Sequence, residues 1–109
     1  RIKVERDLTE RSTAKAALVG NLKRTLFAYK ITLTNHLAGP AHVTVYDQLP
    51  VPRHEEIKVK LQEATPRPAD QSGLNIIQWV LDLPPQEKRE LLLAFTVEHP
   101  RTLSVTGLG

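Results

Sequence analysis

Asp47 is the residue of this sequence whose type and position best suit chemistry. It is in phase with Val43, Val45 and Leu49 in an alternating run, so its side chain is predicted to point into the interior. A buried carboxylate needs partners, because its charge is otherwise expensive to remove from water. It could serve as a general base or a metal ligand. We favour a structural anchor, in which the carboxylate accepts backbone N–H groups where the strand ends beside Pro50.

The histidines do not have the spacing of a metal site. A zinc ion needs three or four convergent ligands, and no His-Glu-x-x-His or similar pattern occurs among His36, His42, His54 and His99. All four lie in or beside predicted loops, which favours solvated imidazole rings. The chain has no cysteine that could supply a thiolate. We therefore predict no metal site and no cofactor.

Patterns of nucleophilic or acid–base catalysis are also absent from the sequence. No serine has the Gly-x-Ser-x-Gly context of a nucleophile elbow, and there is no glycine-rich phosphate loop. Glu55 and Glu56 are adjacent, and adjacent side chains of an extended chain point to opposite sides. That arrangement does not suit a cooperating pair of carboxylates. The sequence therefore predicts a protein that is not an enzyme.

A second group of polar residues suits contact with a ligand or a partner. Tyr46 is out of phase with the core and could stack on a sugar ring. Arg53 and His54 lie in the loop that follows. Lys58 and Lys60 are on the outward face of an amphipathic run. These five residues form the predicted ligand or partner surface.

Alternating apolar residues predict the strands that must position these groups. Two runs at 27–33 and 43–49 flank a turn with Asn35, Gly39 and Pro40, which predicts an antiparallel hairpin. Residues 9–20 suit a short strand or a helical turn. Trp79 is the predicted central core aromatic. The predicted strands number about seven, at 2–8, 27–33, 43–49, 57–61, 74–83, 91–97 and 103–105, and their spacing favours an all-β, antiparallel two-sheet sandwich of immunoglobulin-like type.

The composition fits one globular domain. The chain has 109 residues, 40% hydrophobic and 25% charged, which is ordinary for a folded domain. We expect a single sandwich over residues 1–109, with the N-terminal strand region, 1–24, the least defined. The sequence lacks methionine even at position 1, so we expect a fragment of a longer protein. No apolar run approaches the roughly 20 residues of a membrane helix, so we expect no membrane span in this fragment.

Charge is concentrated near the start of the chain. Residues 1–30 contain eight Lys/Arg and three Asp/Glu, a balance of +5, whereas residues 31–109 contain seven and nine, a balance of −2. A basic segment can contact nucleic acid. Acidic residues are interspersed at Glu5, Asp7 and Glu10, and no RNP-like or helix-turn-helix pattern accompanies them. We therefore expect no nucleic-acid partner.

Several sequence blocks carry a resemblance to a known family. They are YKITLTNH (29–36), VTVYDQLP (43–50), EIKV (56–59), WVLDL (79–83), QEKR (86–89) and EHP (98–100), with Val105 and Gly107–Leu108 beyond them. With them, the chain resembles the C-terminal domain of unknown function of mucoidy inhibitor A-like bacterial proteins. The resemblance implies a place after a β-rich region and a helical segment, and a cell-envelope or secreted context. It implies no catalytic or ligand residues.

These observations lead to two functional hypotheses. The first is a non-enzymatic interaction or structural module that contacts a protein partner or other domains of its own chain. Free strand edges at 2–8 and 57–61 would serve strand addition or formation of a homo-oligomer. The alternative is a carbohydrate- or polymer-binding module that uses Tyr46, Arg53 and His54.

Overall fold

The structure is a computed structural model, and it describes residues 1–13, 22–71 and 75–100. These residues form seven strands and no helix: Ile2–Thr13 (β1), Leu22–Asn35 (β2), Ala41–Gln48 (β3), Lys58–Thr65 (β4), Asp70–Gln71 (β5), Ile76–Leu83 (β6) and Lys88–Pro100 (β7). Residues 9–13, where the sequence permits a strand or a helical turn, belong to β1. Residues 14–20 and the strand predicted at 103–105 lie outside the described residues.

The strands form two antiparallel sheets, which confirms the predicted all-β sandwich. The larger sheet has the order β1-β2-β7-β4 and the smaller has the order β3-β6-β5. An immunoglobulin constant domain also has four and three strands, in the orders A-B-E-D and C-F-G. Here β7 lies between β2 and β4, where the fifth strand lies in that domain, and the two-residue β5 pairs with β6. The run predicted at 2–8 belongs to β1, and the run predicted at 57–61 belongs to β4 from Lys58 onward; these strands are the two edges of the larger sheet.

The hairpin predicted between residues 27–33 and 43–49 is wrong. β2 pairs with β1 and β7, whereas β3 pairs with β6 in the other sheet. The buried side chain of Asn35 anchors the crossing, because its Nδ2 donates to the carbonyl oxygens of Leu83 at 2.9 Å and Gly39 at 3.1 Å. These bonds tie the connection to the end of β6. The turn therefore leads the chain into the second sheet instead of reversing it within the first.

Inward side chains of β2, β6 and β7 make most of the core. Directly opposite residues of an antiparallel pair lie on one face, and the ladder sets Phe27 opposite Phe95 and Tyr29 opposite Leu93. The rings of Phe27 and Phe95 stack with centroids 5.4 Å apart. The buried apolar cluster comprises Phe27, Tyr29, Ile31, Leu33, Leu49, Ile77, Trp79, Leu81, Leu83, Leu91, Leu93, Phe95 and Val97.

Trp79 is the large core aromatic of the smaller sheet, as the sequence predicts. It lies on the central strand β6 and is 1% exposed. Its Nε1–H donates to the carbonyl oxygen of Pro66 at 2.7 Å. This bond holds the connection between β4 and β5 against the core. The neighbouring Val80 points outward and is exposed, so β6 is covered on one face only.

Candidate interaction surface

β1 presents apolar side chains on the inner side of the larger sheet that no other described strand covers. Val4 is paired with Leu33 and Leu8 with Tyr29, and opposite residues of an antiparallel pair point to the same side. Leu33 and Tyr29 are 0% and 4% exposed, yet Val4 is 55% and Leu8 47% exposed. The smaller sheet therefore leaves the inner side of β1 open.

The opposite edge of the larger sheet is covered. Val59 and Leu61 of β4 are partly buried and pack against the core. The three strands of the smaller sheet thus extend over β2, β7 and β4, and β1 projects beyond β3. We call the resulting surface the open side. It consists of the free edge of β3, which pairs only with β6 among the described strands, and of the inner row of β1, which is Ile2, Val4, Arg6, Leu8 and Arg11.

An ion pair joins the two edge strands at the open side. Arg6 of β1 donates from Nε to Oδ2 of Asp47 on β3 at 2.8 Å and from Nη2 to Oδ1 at 3.3 Å. The side chain of Asp47 is 10% exposed and that of Arg6 is 40% exposed. Asp47 also accepts the backbone N–H of Gln48 at 2.7 Å. The carboxylate thus binds one backbone donor at the strand end and a positive group of the other sheet.

Tyr29 supports the guanidinium of Arg6 from below. The Cζ atom of Arg6 lies 3.8 Å from the centre of the Tyr29 ring, within the range of a cation–π contact. Burial by itself lowers the pKa of Arg6, but hydrogen bonding to Asp47 and its charge, with smaller contributions from Tyr29, outweigh burial and raise that pKa above its ordinary value. Arg6 is therefore a fixed positive charge between the two sheets.

A cleft of about 580 Å³ opens beside this ion pair. Arg6, Tyr29 and Phe95 line one part of it, and residues 48–51 and Arg53 line the rest. Asn75 holds the wall of the cleft in place: its carbonyl oxygen accepts the Leu49 N–H at 2.8 Å, and its Nδ2 donates to the Pro50 carbonyl oxygen at 3.1 Å.

The five residues of the predicted ligand or partner surface lie on two parts of the molecule. Arg53, His54 and Lys58 line one depression of about 560 Å³ beside the cleft. Tyr46 is 66% exposed and lies on the outer face of β3. Lys60 lies on the outer face of β4, opposite Thr96 and next to Lys58 on the same face. The structure therefore places Arg53, His54, Lys58 and Lys60 near one another and Tyr46 elsewhere.

The family of the chain follows from comparison with known proteins. A family model described as "Domain of unknown function (DUF4139)" matches residues 1–101. The chain belongs to this family. No curated protein and no solved structure matches it. The resemblance seen in the sequence blocks is confirmed, in that the DUF4139 domain is a domain of unknown function.

Two features of the DUF4139 domain, the free edge of β3 and the role of Arg6, are not among the predictions made from the sequence. The free edge of β3 depends on strand order, which alternation does not encode. Arg6 carries a usable signal, because it is in phase with Ile2, Val4 and Leu8 and is thus an inward-phase charge, as Asp47 is. Two opposite charges, each in inward phase on a different strand, are candidates for a pair.

Other polar groups of the DUF4139 domain pair within one sheet or one turn. His42 Nδ1 lies 2.6 Å from Asp82 Oδ1 on the outer face of the smaller sheet, and Arg89 binds Glu87 in the turn before β7. Within the described ranges, three or more His, Asp or Glu side chains do not converge in a geometry that could hold a metal ion. The described part of the chain also contains no helix long and apolar enough to cross a membrane.

Proposed function

We propose that this DUF4139 domain is a non-enzymatic module that binds protein through its open side, within a larger, envelope-associated bacterial protein. The observation that carries the proposal is the exposure of Val4 and Leu8 on the inner face of an edge strand. Complete burial of a valine or leucine side chain contributes roughly 1.5–3 kcal/mol. Since both side chains are half exposed, covering them would contribute about 2 kcal/mol in total.

The arrangement of Asp47 supports the non-enzymatic part of the proposal. A general base needs a lone pair in reach of a substrate proton. Three hydrogen bonds, two from Arg6 and one from the Gln48 backbone, take most of the acceptor sites of the Asp47 carboxylate. The acid is used in joining the sheets.

A carbohydrate- or polymer-binding module is the second candidate. The observation in its favour is the depression that gathers Arg53, His54 and Lys58. These side chains can donate hydrogen bonds to hydroxyl or acidic groups of a polymer. Tyr46, the expected stacking ring, lies on another face, which makes this candidate the weaker one.

Co-sedimentation with cell-wall and exopolysaccharide preparations tests both candidates. The domain is mixed with each preparation before and after the preparation is treated with protease. Val4→Glu alters the open side, Arg53→Ala alters the depression, and Val80→Glu, on the outer face of β6, is the matched control. Each variant is first shown by circular dichroism to melt like the wild-type domain.

The two candidates predict opposite results. Pelleting that is lost after protease treatment, reduced by Val4→Glu and unaffected by Val80→Glu supports protein binding at the open side. Pelleting that survives protease and is reduced by Arg53→Ala supports polymer binding and overturns the first candidate. Absence of pelleting, or pelleting that no substitution changes, contradicts both.

A further inference from the structure

The edge strands of the two sheets differ in their protection against strand addition. Natural edge strands are protected by bulges, by charged side chains or by shortness. β1 has a bulge between Leu8 and Glu10, and β4 has one between Leu61 and Glu63. β5, the described edge of the smaller sheet on that side, has only two residues. Each of these edges is thus a poor template for another strand.

β3 lacks these devices over residues 41–46. The stretch Ala-His-Val-Thr-Val-Tyr contains no proline, Lys, Arg, Asp or Glu, and its pairing with β6 is regular throughout. Valine, threonine and tyrosine all favour the extended conformation. Asp47, the charge at the end of the stretch, is neutralised by Arg6. The free side of β3 is therefore the least protected edge in the described part of the chain.

A strand added to this edge would lie over the inner row of β1, because β1 projects beyond β3. It would be the fourth strand of the smaller sheet and would give each strand of the larger sheet a covering strand. Alternate side chains of a strand are about 7 Å apart. The distance between alternate side chains is therefore the same in the added strand as between Val4, Arg6 and Leu8. Successive inward side chains of the added strand can thus each contact one of these three residues.

We propose that the DUF4139 domain binds a single extended segment of a protein partner by strand addition to β3, with the segment covering the inner row of β1. This inference rests on the proposed function and specifies its partner. The side chains of the segment that point inward are apolar where they contact Val4 and Leu8. The side chain that faces Arg6 is a hydrogen-bond acceptor, and the one that faces Arg11 is acidic. Backbone hydrogen bonds along β3 supply a sequence-independent part of the affinity, and these pockets supply the specificity.

Charge favours an acidic segment. The inner row of β1 contains Arg6 and Arg11, whose guanidinium lies 5.4 Å from the centre of the Phe27 ring. Arg53, on the adjoining cleft, makes no hydrogen bond or ion pair with the described residues. Asp47 is the acidic side chain that faces this surface, and it is already paired. The open side is therefore net positive.

A second copy of the domain does not fit in place of a single strand. Two β3 strands could pair about a two-fold axis with Thr44 opposite Thr44, which opposes no like charges. The projecting β1 of each copy would then enter the space occupied by the larger sheet of the other. A single strand brings no second larger sheet to this edge.

The test uses a synthetic ten-residue peptide with Val, Glu, Val and Glu at alternate positions and Thr between them, and a scrambled peptide of the same composition. Isotope-labelled domain is titrated with each peptide up to millimolar concentration and followed by NMR. We expect saturable shifts along residues 41–47 and β1 with the patterned peptide only. Amide exchange on the free side of β3 should slow about tenfold or more as those N–H groups become hydrogen-bonded.

A charge exchange locates the peptide on the surface. Arg11 is exposed, so Arg11→Glu should leave the fold intact and weaken binding of the Glu peptide about tenfold. A peptide with Lys in place of the final Glu should regain the lost affinity with this variant. Val4→Glu should also abolish the shifts, and Val80→Glu should not change them.

The outcomes separate the two proposals. If Val4→Glu reduces pelleting of a protease-sensitive partner but the peptide leaves exchange in β3 unchanged, the protein-binding function stands and strand addition is wrong. If neither response occurs, both are wrong. A concentration-dependent dimer in sedimentation velocity that is lost on Thr44→Lys would show that a second copy occupies the edge and would overturn the single-strand occupant.

Discussion

The guanidinium of Arg6 and the carboxylate of Asp47 connect the two sheets at the open side, where Nε of Arg6 and Oδ2 of Asp47 are 2.8 Å apart. The two residues are 41 positions apart in the chain. Each lies on an edge strand and points inward, where an isolated charge would be unfavourable. The pair therefore allows both strands to keep an inward charge without leaving either charge unpaired.

Removing the carboxylate should destabilise the domain. Asp47→Ala leaves Arg6 and the Gln48 N–H without their acceptor, so we expect a loss of about 1–3 kcal/mol in the free energy of unfolding. Urea denaturation measures the change. Asp82→Ala is the control, because that carboxylate is 87% exposed and pairs only at the surface. An unchanged midpoint for Asp47→Ala would remove its structural role.

The contribution of Arg6 should not depend on pH in the ordinary range. A group whose pKa is raised on folding contributes stability that is fully present below its unfolded pKa and is lost only as the pH rises through the folded pKa. For Arg6 both values lie far above neutrality. The difference in unfolding free energy between wild type and Arg6→Gln should therefore be constant from about pH 6 to pH 9. A difference that falls steadily across this range would contradict the assignment.

Two valines test whether the inner row of β1 is uncovered. Val97 on β7 is 1% exposed and Val4 on β1 is 55% exposed. Val97→Ala should lower the free energy of unfolding by about 2 kcal/mol, because it leaves a cavity in the core. Val4→Ala should change it by less than about 0.5 kcal/mol. Equal losses in chemical denaturation would mean that β1 is packed as β7 is.

Trp79 should behave as a core residue with one essential hydrogen bond. Trp79→Ala should destabilise the domain by about 3–5 kcal/mol. Trp79→Phe keeps much of the apolar volume but leaves the Pro66 carbonyl oxygen without its donor, so a smaller loss of about 1–3 kcal/mol is expected. Thermal and urea unfolding distinguish the two variants. A response to Trp79→Ala as small as that of a surface residue would refute the strand phase assigned to β6.

Asn35 should tolerate no carboxylate. Its Nδ2 lies within hydrogen-bond distance of three carbonyl oxygens, those of Gly39, Leu83 and Pro84, and its side chain is fully buried. Asn35→Asp would set a negative charge against these acceptors, and we expect a loss of about 3 kcal/mol or more. His36→Ala, at the exposed neighbour, is the control. Wild-type stability of Asn35→Asp would show that the carbonyl oxygens do not need this donor.

Strands could be predicted from the sequence because alternation is a local property. The inward phase of Phe27, Ile31 and Trp79 matches their burial, and β6 is central as its apolar pattern suggests. Strand order could not be predicted in the same way. The connection after β2 contains ordinary turn residues, and its path to the other sheet is fixed by long-range contacts, such as those of Asn35 with Leu83 and of Gln86 with Leu37. β5 has too few residues to show a periodicity.

For the candidate site too, the exposure or burial of single residues could be predicted, but not which residues lie together. The inward phase of Asp47 predicted its burial, but its partner Arg6 depends on how the two sheets are stacked. The exposure of Arg53, His54 and Lys58 could be predicted, since each lies in a loop or on a polar face. Their separation from Tyr46 could not, because it depends on how the two sheets are stacked.

The bulge in β1 has a consequence for recognition. Thr9 is the extra residue between Leu8, which is opposite Tyr29, and Glu10, which is opposite Ala28. With a regular ladder, Glu10 would face inward opposite Phe27 and Arg11 would face outward. One inserted residue therefore sets a positive instead of a negative side chain at this end of the inner row, and under the proposed strand addition a domain without it would favour a segment of the opposite charge at that position.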